Sequence, residues 1–395
     1  MLKSLLTAFV LSCVSYFVIS VTVALAPRFV PEGGGIAEAR AITPHNLFRF
    51  DSLYYYGIAT TGYSYNGDPN SSPNLVFAPL FPLLTRVVAI VCDAVTAGFI
   101  LNELLLFLAL WALSIVLSEW LGEWRARGML LAMVTAAGSY AFHAYYSEST
   151  MLACLALCLL SFQRQWWWRL AFASAALGAS RLTGAPLAGV FAMLFVFQAF
   201  RLRRDVKAVV SRLAMAAICV SGALAYLIYV SVYFGNPLTL FPEIQASSWG
   251  LFHQPASFAS LISFNYLADY WVHAFDRGFH LDDIKTLNLV WMSLGAFSCI
   301  YMLLVYRRNI MSLLFLVYFL FVYANDASSE FLISAHRFFV LMLPIFIMGS
   351  ALHGVVRAKA GWAAAYVVSG VLLLVNISFG ILHAAYFNQG VWYFF

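Results

Sequence analysis

Charge is what this chain has least of. Only 10% of its 395 residues are Asp, Glu, Lys or Arg, where a soluble domain carries about 25%. That scarcity excludes an ordinary water-soluble globule and a charged disordered chain. Cysteine is scarce too. Cys13, Cys92, Cys154, Cys158, Cys219 and Cys299 are the six, most of them inside apolar runs, which excludes a disulfide scaffold. Cys154 and Cys158 share a helix face, but no His or Cys nearby completes a metal set, so they read as small core residues. Internal repeats and low-complexity tails are also missing. The net charge of +5 does not point to nucleic acid, because the basic residues sit in short loops between apolar stretches.

Apolar length is what the chain has in plenty: 63% of it is hydrophobic. A membrane helix needs about 20 apolar residues, and its backbone polar groups are satisfied within the helix. The apolar segments predict helices over about 5–26, 98–119, 128–143, 149–163, 168–181, 184–200, 209–234, 286–306, 310–325, 336–354 and 361–384. The expected fold is an all-α polytopic membrane protein, one domain over 1–395, with about eleven transmembrane helices. The first segment reads as a retained signal anchor rather than a cleaved signal peptide. Two long polar connections, 27–76 and 235–285, stand out, and long loops tend to carry function.

Basic residues set the expected orientation. Arg125/Arg127, Arg164/Arg169, the run from Arg201 to Arg212, Arg307/Arg308 and Arg357/Lys359 fall on one side with Lys3. Of the 17 acidic residues only Glu119, Glu123 and Asp205 join them. The positive-inside rule makes that side cytoplasmic. The count works only if segment 77–92 does not cross. It holds Pro79, Pro82 and Arg86 and ends at Asp93, which predicts a juxtamembrane or re-entrant helix. Asp51, Glu148, Arg181 and Arg337 then share the exterior or luminal face.

Asp51 is the foremost catalytic candidate. It precedes Tyr54, Tyr55 and Tyr56 in a loop that also holds Tyr63, Tyr65 and a Gly/Asn/Ser/Pro stretch over 66–74. Aromatic faces with hydroxyl tips beside amides and carboxylates suit carbohydrate; an interfacial aromatic belt is the plainer reading of the tyrosines. Asp68, in Asn-Gly-Asp-Pro, reads as a turn residue. Tyr146-Ser147-Glu148 caps a helix junction, where Glu148 either needs a partner in space or serves the positive helix end. Arg181, in Ser180-Arg181-Leu182-Thr183-Gly184, breaks the positive-inside trend and is a candidate phosphate ligand, with a snorkelling Arg as the alternative. Arg337 follows His336, which reads as a structural histidine or a proton shuttle. Gln245 and Trp249 mark the second long loop, and Asp282-Asp283 reads as a solvated pair.

These motifs resemble a family. Arg49-Phe50-Asp51 with Tyr55 and Ile58-Ala59-x-x-Gly62-Tyr63, then Phe77-Ala78-Pro79-Leu80-Phe81-Pro82, is similar to the first-loop region of the PIG-V mannosyltransferases. Tyr146-Ser147-Glu148, Ser180-Arg181-x-x-Gly184 and Gly235-Asn236-Pro237 with Gln245 and Trp249-Gly250 resemble further segments of it, in order. Phe50 stands where that family usually has Trp, and Ala78 where it has an aromatic. The resemblance implies a GT-C-like glycosyltransferase with a polyprenyl-phosphate sugar donor, an exterior or luminal site and an essential first-loop Asp, here Asp51.

In that reading Asp51 is the general base and Arg181 and Arg337 bind the donor phosphate. Glu148, Tyr55, Tyr146, Gln245, Trp249 and His336 contact sugar or acceptor. The transferred sugar is a hexose, with mannose the expectation, and the acceptor is a glycan or glycolipid. No cofactor is assigned, and a divalent cation is left open. Compact loops favour a prokaryotic cytoplasmic membrane, with the ER membrane as the alternative. The rival functions are a flippase or transporter of a lipid-linked glycan, which calls for inverted repeats and mid-membrane charge, and a non-catalytic subunit of a glycosylation complex.

Overall fold

The computed structural model describes residues 2–28, 47–249, 265–276, 284–307, 309–327 and 335–389. Among these the chain is all-helical. Six helices there are long and apolar enough to cross a membrane, and the chain is an integral membrane protein. Eleven spans were expected. The shortfall lies in helices such as Glu148–Gln163 and Ile310–Ala324, which are apolar but shorter. Predicted helix 128–143 is a correction. Its helix ends at Val134, and a buried 3-10 turn over Ser139–Phe142 follows, entered through Gly138 at φ +86°. A Cβ at Gly138 would collide with the carbonyl of His336, so close packing ends the helix there.

Two compact units divide the chain. The first holds Phe50–Val116 and Tyr145–Phe252. Its helices are α2 (Ser52–Thr60), α3 (Leu80–Val88), most of α4 (Ala94–Leu121), α6 (Glu148–Gln163), α7 (Trp167–Ser180), α8 (Gly184–Arg201), α9 (Val206–Tyr233) and α10 (Pro237–Trp249). Small residues draw α7 and α9 together. A Cβ at Gly222 would strike the Ala175 carbonyl, and one at Gly178 would press on Ala223, the close-approach packing common between membrane helices. At one end of this unit Arg212 lies over the Trp167 ring at 5.0 Å and Arg169 over Trp166 at 4.4 Å, beside the exposed run 201–207.

At the other end sit α2, α3 and the start of α4. Helix α3 has nine residues, a rise of about 14 Å, against a hydrocarbon core of about 30 Å. It is too short to cross. Phe81 on α3 packs edge-on against both Tyr55 of α2 and Tyr145. The Tyr145 hydroxyl donates to the Ala94 carbonyl at the start of α4, over Gly98, where a Cβ would enter the Tyr145 ring. Both flanks of α3 therefore stay at one end of the unit. Asp93 opens α4 as a cap, accepting from Val95 and Thr96 N–H.

The second unit holds Leu2–Arg49, Leu117–Ala144 and His253–Phe395. It contains α1 (Leu2–Leu25), α5 (Glu123–Val134), α11 (Asn265–Asp276), α12 (Ile284–Val305), α13 (Ile310–Ala327), α14 (Ala335–Phe339) and α15 (Leu343–Asn388). Helices α1 and α5 run parallel: Lys3 pairs with Glu123 at 3.4 Å, and Ser15 Oγ donates to the Val134 carbonyl at 3.0 Å. Helix α15 is two helices broken at Gly361, φ +82°. Gly354 lies beside the Arg125 guanidinium, whereas Asn376 donates to the Ala132 carbonyl and Asn388 to that of Val23. The two arms thus form a hairpin with Arg357 and Lys359 at its bend. Within this unit Lys3, Arg125, Arg127 and Arg357 gather at one end, and α14 with Arg337 lies at the opposite end, where His336 meets Tyr140.

Candidate active site

Helix α2 is the platform. Phe50 adopts φ +49°, a left-handed conformation rare for a bulky residue and of the kind that clusters at functional sites. Asp51 follows as the first turn begins, its carbonyl accepting from Tyr54 and Tyr55 N–H. Its carboxylate does not cap the helix. The far end of α2 is held by Arg86 on α3. That guanidinium donates to the Ile58 and Ala59 carbonyls, both at 2.8 Å, groups that a helix C-terminus leaves without an intrahelical partner. The sequence showed Arg86 as an obstacle to a membrane span; its clamp on α2 was not foreseen. An arginine near the end of a short helix, one loop from a platform helix, was the only available signal.

Tyr55 points inward from α2. It is 3% exposed, edge-on to Phe77 and Phe81 and tilted against Tyr146. Its hydroxyl shares a 2.6 Å hydrogen bond with Ser147 Oγ. The next residue, Glu148, is the first of α6 and fully buried. It ion-pairs with Arg181, which ends α7 in an extended conformation and is 9% exposed. Gly184, three residues later, is required as glycine, because a Cβ there would strike the Leu177 carbonyl.

Burial pushes the Tyr55 pKa up to about 12; Arg181 pulls against that, while Glu148 and Asp51 add to it. One hydroxyl therefore feels three charges from three chain segments. Among the described residues no three His, Cys, Asp or Glu side chains gather as a metal set.

The other predicted residues fall differently. Tyr146 is fully buried beside Tyr55. Arg337, 5% exposed, belongs to the second unit. His336 is buried there with it. Its backbone N–H donates to Asn288 Oδ1 at 3.2 Å, which identifies that atom as the oxygen. His336 Nδ1, 3.0 Å from the same atom, must then carry the proton, and Nε2 accepts from Tyr140 O–H at 3.1 Å. Neither ring nitrogen is left for a sugar hydroxyl in this structure. Gln245 and Trp249 lie on α10, but their side chains, like Asp282 and Asp283, fall outside the described residues. Asp68 is a turn residue, capping Pro69–Ser71. Cys154 and Cys158 are buried and unbridged.

No family model matches the chain, and no curated protein does. Among solved structures it is similar to the oligosaccharyltransferase of Archaeoglobus fulgidus in complex with zinc and sulfate, at 12% identity over 94% of this chain and 53% of that one, TM-score 0.49. The apo form of that protein is similar at 11% identity over 95% and 56%, TM-score 0.47. ArnT from Cupriavidus metallidurans bound to undecaprenyl phosphate is similar at 13% identity over 97% and 77%, TM-score 0.48. The chain spans about half the length of the oligosaccharyltransferase. These are likenesses of fold and are too loose to carry a functional argument.

Proposed function

We propose that this protein is a membrane glycosyltransferase that moves a hexose from a polyprenyl-phosphate donor to an acceptor hydroxyl. The observation that carries the reading is the buried Glu148–Arg181 pair beside Tyr55, on the helix that Asp51 opens, at the end of the first unit away from its basic loops.

Depth supports a lipid-linked donor. Helix α7 has fourteen residues and rises about 21 Å. With the exposed Trp166 and Trp168 at the basic-side interface, Arg181 lies below the opposite one, since the hydrocarbon core is about 30 Å thick. A phosphate anchored on a prenyl chain reaches such a position from within the bilayer.

The chemistry is a single displacement with inversion. Asp51 takes the proton of the acceptor hydroxyl as that oxygen attacks the anomeric carbon. The bond from that carbon to the phosphate oxygen breaks, and its electron pair leaves on the polyprenyl phosphate. Arg181 stabilises the negative charge growing there. Glu148 is a positioning residue that holds the guanidinium in place before the phosphate arrives. The motif resemblance to the PIG-V family favours mannose as the sugar, with the site on the exterior or luminal face.

The test is an assay of purified protein with a panel of polyprenyl-phosphate sugars, reading release of polyprenyl phosphate. Release with at least one hexose donor is expected, strongest with mannose. No release from any donor across glycan and glycolipid acceptors would contradict the reading.

A further inference from the structure

An open groove of about 430 Å³ runs along α2 on the side away from Tyr55, within the roughly 300–1,000 Å³ typical of ligand sites. Tyr54 and Gly57 of α2 form one wall; Tyr65, Asn66, Ser72 and Asn74 stand on the other. The loop wall is built before any ligand arrives. The Asn74 amide bridges it, accepting from Ser64 N–H at 3.0 Å and donating to the Gly62 carbonyl at 3.1 Å. Asn66 Oδ1 accepts from Asp68 N–H and Ser71 O–H. Leu75 seats the loop on α9 and α10 with Tyr226, Leu240 and Phe241, and the Tyr226 hydroxyl donates to the Leu75 carbonyl. Tyr54 is fixed by stacking on Phe77, ring centroids 4.7 Å apart. A prefolded wall loses little freedom on binding.

The chemistry of the lining selects the occupant. Among the described residues no charged side chain lines the groove. Burial, Glu243 and Asp68 push the Tyr65 hydroxyl upward in pKa. Anions are therefore disfavoured, and the donor phosphate does not belong there. Amides, hydroxyls and tyrosine rings without charge fit a neutral polyhydroxylated molecule. Glycine at position 57 keeps the α2 wall low, since a Cβ there would meet nothing within 4 Å. Asp51 lies six residues before Gly57, about 9 Å along the helix.

We propose that this groove is the acceptor subsite and that it takes a neutral glycan, presenting its reactive hydroxyl to Asp51 at the start of α2. The proposal rests on the glycosyltransferase reading for the word acceptor, but binding in the groove does not.

Gly57→Leu fills the groove from a helical position with open space, and Tyr65→Ala removes a wall from the opposite side. Full-length protein in lipid nanodiscs is probed by saturation-transfer NMR with methyl α-mannoside, methyl α-glucoside and, as the anionic control, mannose 1-phosphate. At least one neutral glycoside should bind at millimolar concentration. Its signal should fall by roughly tenfold or more in Gly57→Leu and fall in Tyr65→Ala. Neutral-glycoside binding that ignores both groove variants, or its absence from folded wild-type protein, overturns the proposal. Polyprenyl phosphate release that is insensitive to Gly57→Leu at limiting acceptor overturns it while leaving the transferase reading standing. Groove binding without release from any donor does the reverse.

Discussion

Two of the buried polar clusters among the described residues are built on opposite principles. Around Tyr55 the cluster is charged: Glu148 and Arg181 form a buried pair, and Asp51 acts on the same hydroxyl. Around His336 the hydrogen bonds join neutral groups. Asn288, His336 and Tyr140 form a hydrogen-bonded chain, with the buried Arg337 next to His336 in sequence. Buried charge is costly and is a weak way to gain stability, whereas a fully satisfied neutral network rigidifies its surroundings. The first arrangement makes sense where charge is used on a substrate. The second holds α12, α14 and the turn after α5 together.

The largest expected effect tests the charge of the first cluster. Glu148→Ala leaves a buried guanidinium without its carboxylate and should cost about 3–5 kcal/mol, read as a drop in apparent Tm in detergent. Arg181→Ala should cost a similar amount, and Glu148→Gln combined with Arg181→Met should cost much less than the two single losses added. Lys3→Ala, at a pair whose side chains are 78% and 55% exposed, should cost about 0–1 kcal/mol. Equal losses at both pairs would erase the distinction.

Next is the neutral network. Tyr140→Phe removes the donor to His336 Nε2 and should lower stability by about 1–3 kcal/mol, with residual transfer activity following the amount of folded protein. A loss of turnover in folded Tyr140→Phe would move His336 into the chemistry.

The smallest effect concerns pH. The Tyr55 pKa in the fold, about 12, stands above its ordinary value of 10.0. The folded state therefore holds that proton more tightly than the unfolded chain. Its contribution is complete below about pH 10 and is lost between about 10 and 12. Wild-type protein should lose stability in that alkaline window more steeply than Tyr55→Phe. Identical alkaline profiles would place the hydroxyl in water.

Much of this was legible in the sequence because membranes write strongly in composition. Apolar length located α1, α4, α8, α9 and α12 to within a few residues, and Pro79, Pro82 and Arg86 announced that 77–92 is not an ordinary span. Within each unit the basic loops lie together, as charge counting expects. What was not legible depends on contacts distant in the chain. The break at Val134 comes from Gly138 pressing on His336, almost 200 residues away. Arg86 gripping α2, and Asn74 bracing the groove wall, are side-chain-to-backbone bonds with no periodic signature. The pairing of Glu148 with Arg181 was foreseeable only as a need: a carboxylate at a membrane edge with no basic neighbour in sequence. Arg337 carries the same signature as Arg181 and lies in the other unit.

The most direct test of the account compares one atom-scale change in each cluster. Asp51→Asn keeps the size of the side chain and removes the base, whereas Asn288→Ala breaks the neutral network. Each is purified, checked for folding by Tm, and assayed for polyprenyl phosphate release at saturating donor and acceptor. The account predicts that Asp51→Asn, at unchanged Tm, loses about 100-fold or more in kcat, the usual worth of a general base, while Asn288→Ala lowers Tm and leaves kcat per folded molecule near wild type. Full turnover by folded Asp51→Asn would contradict it.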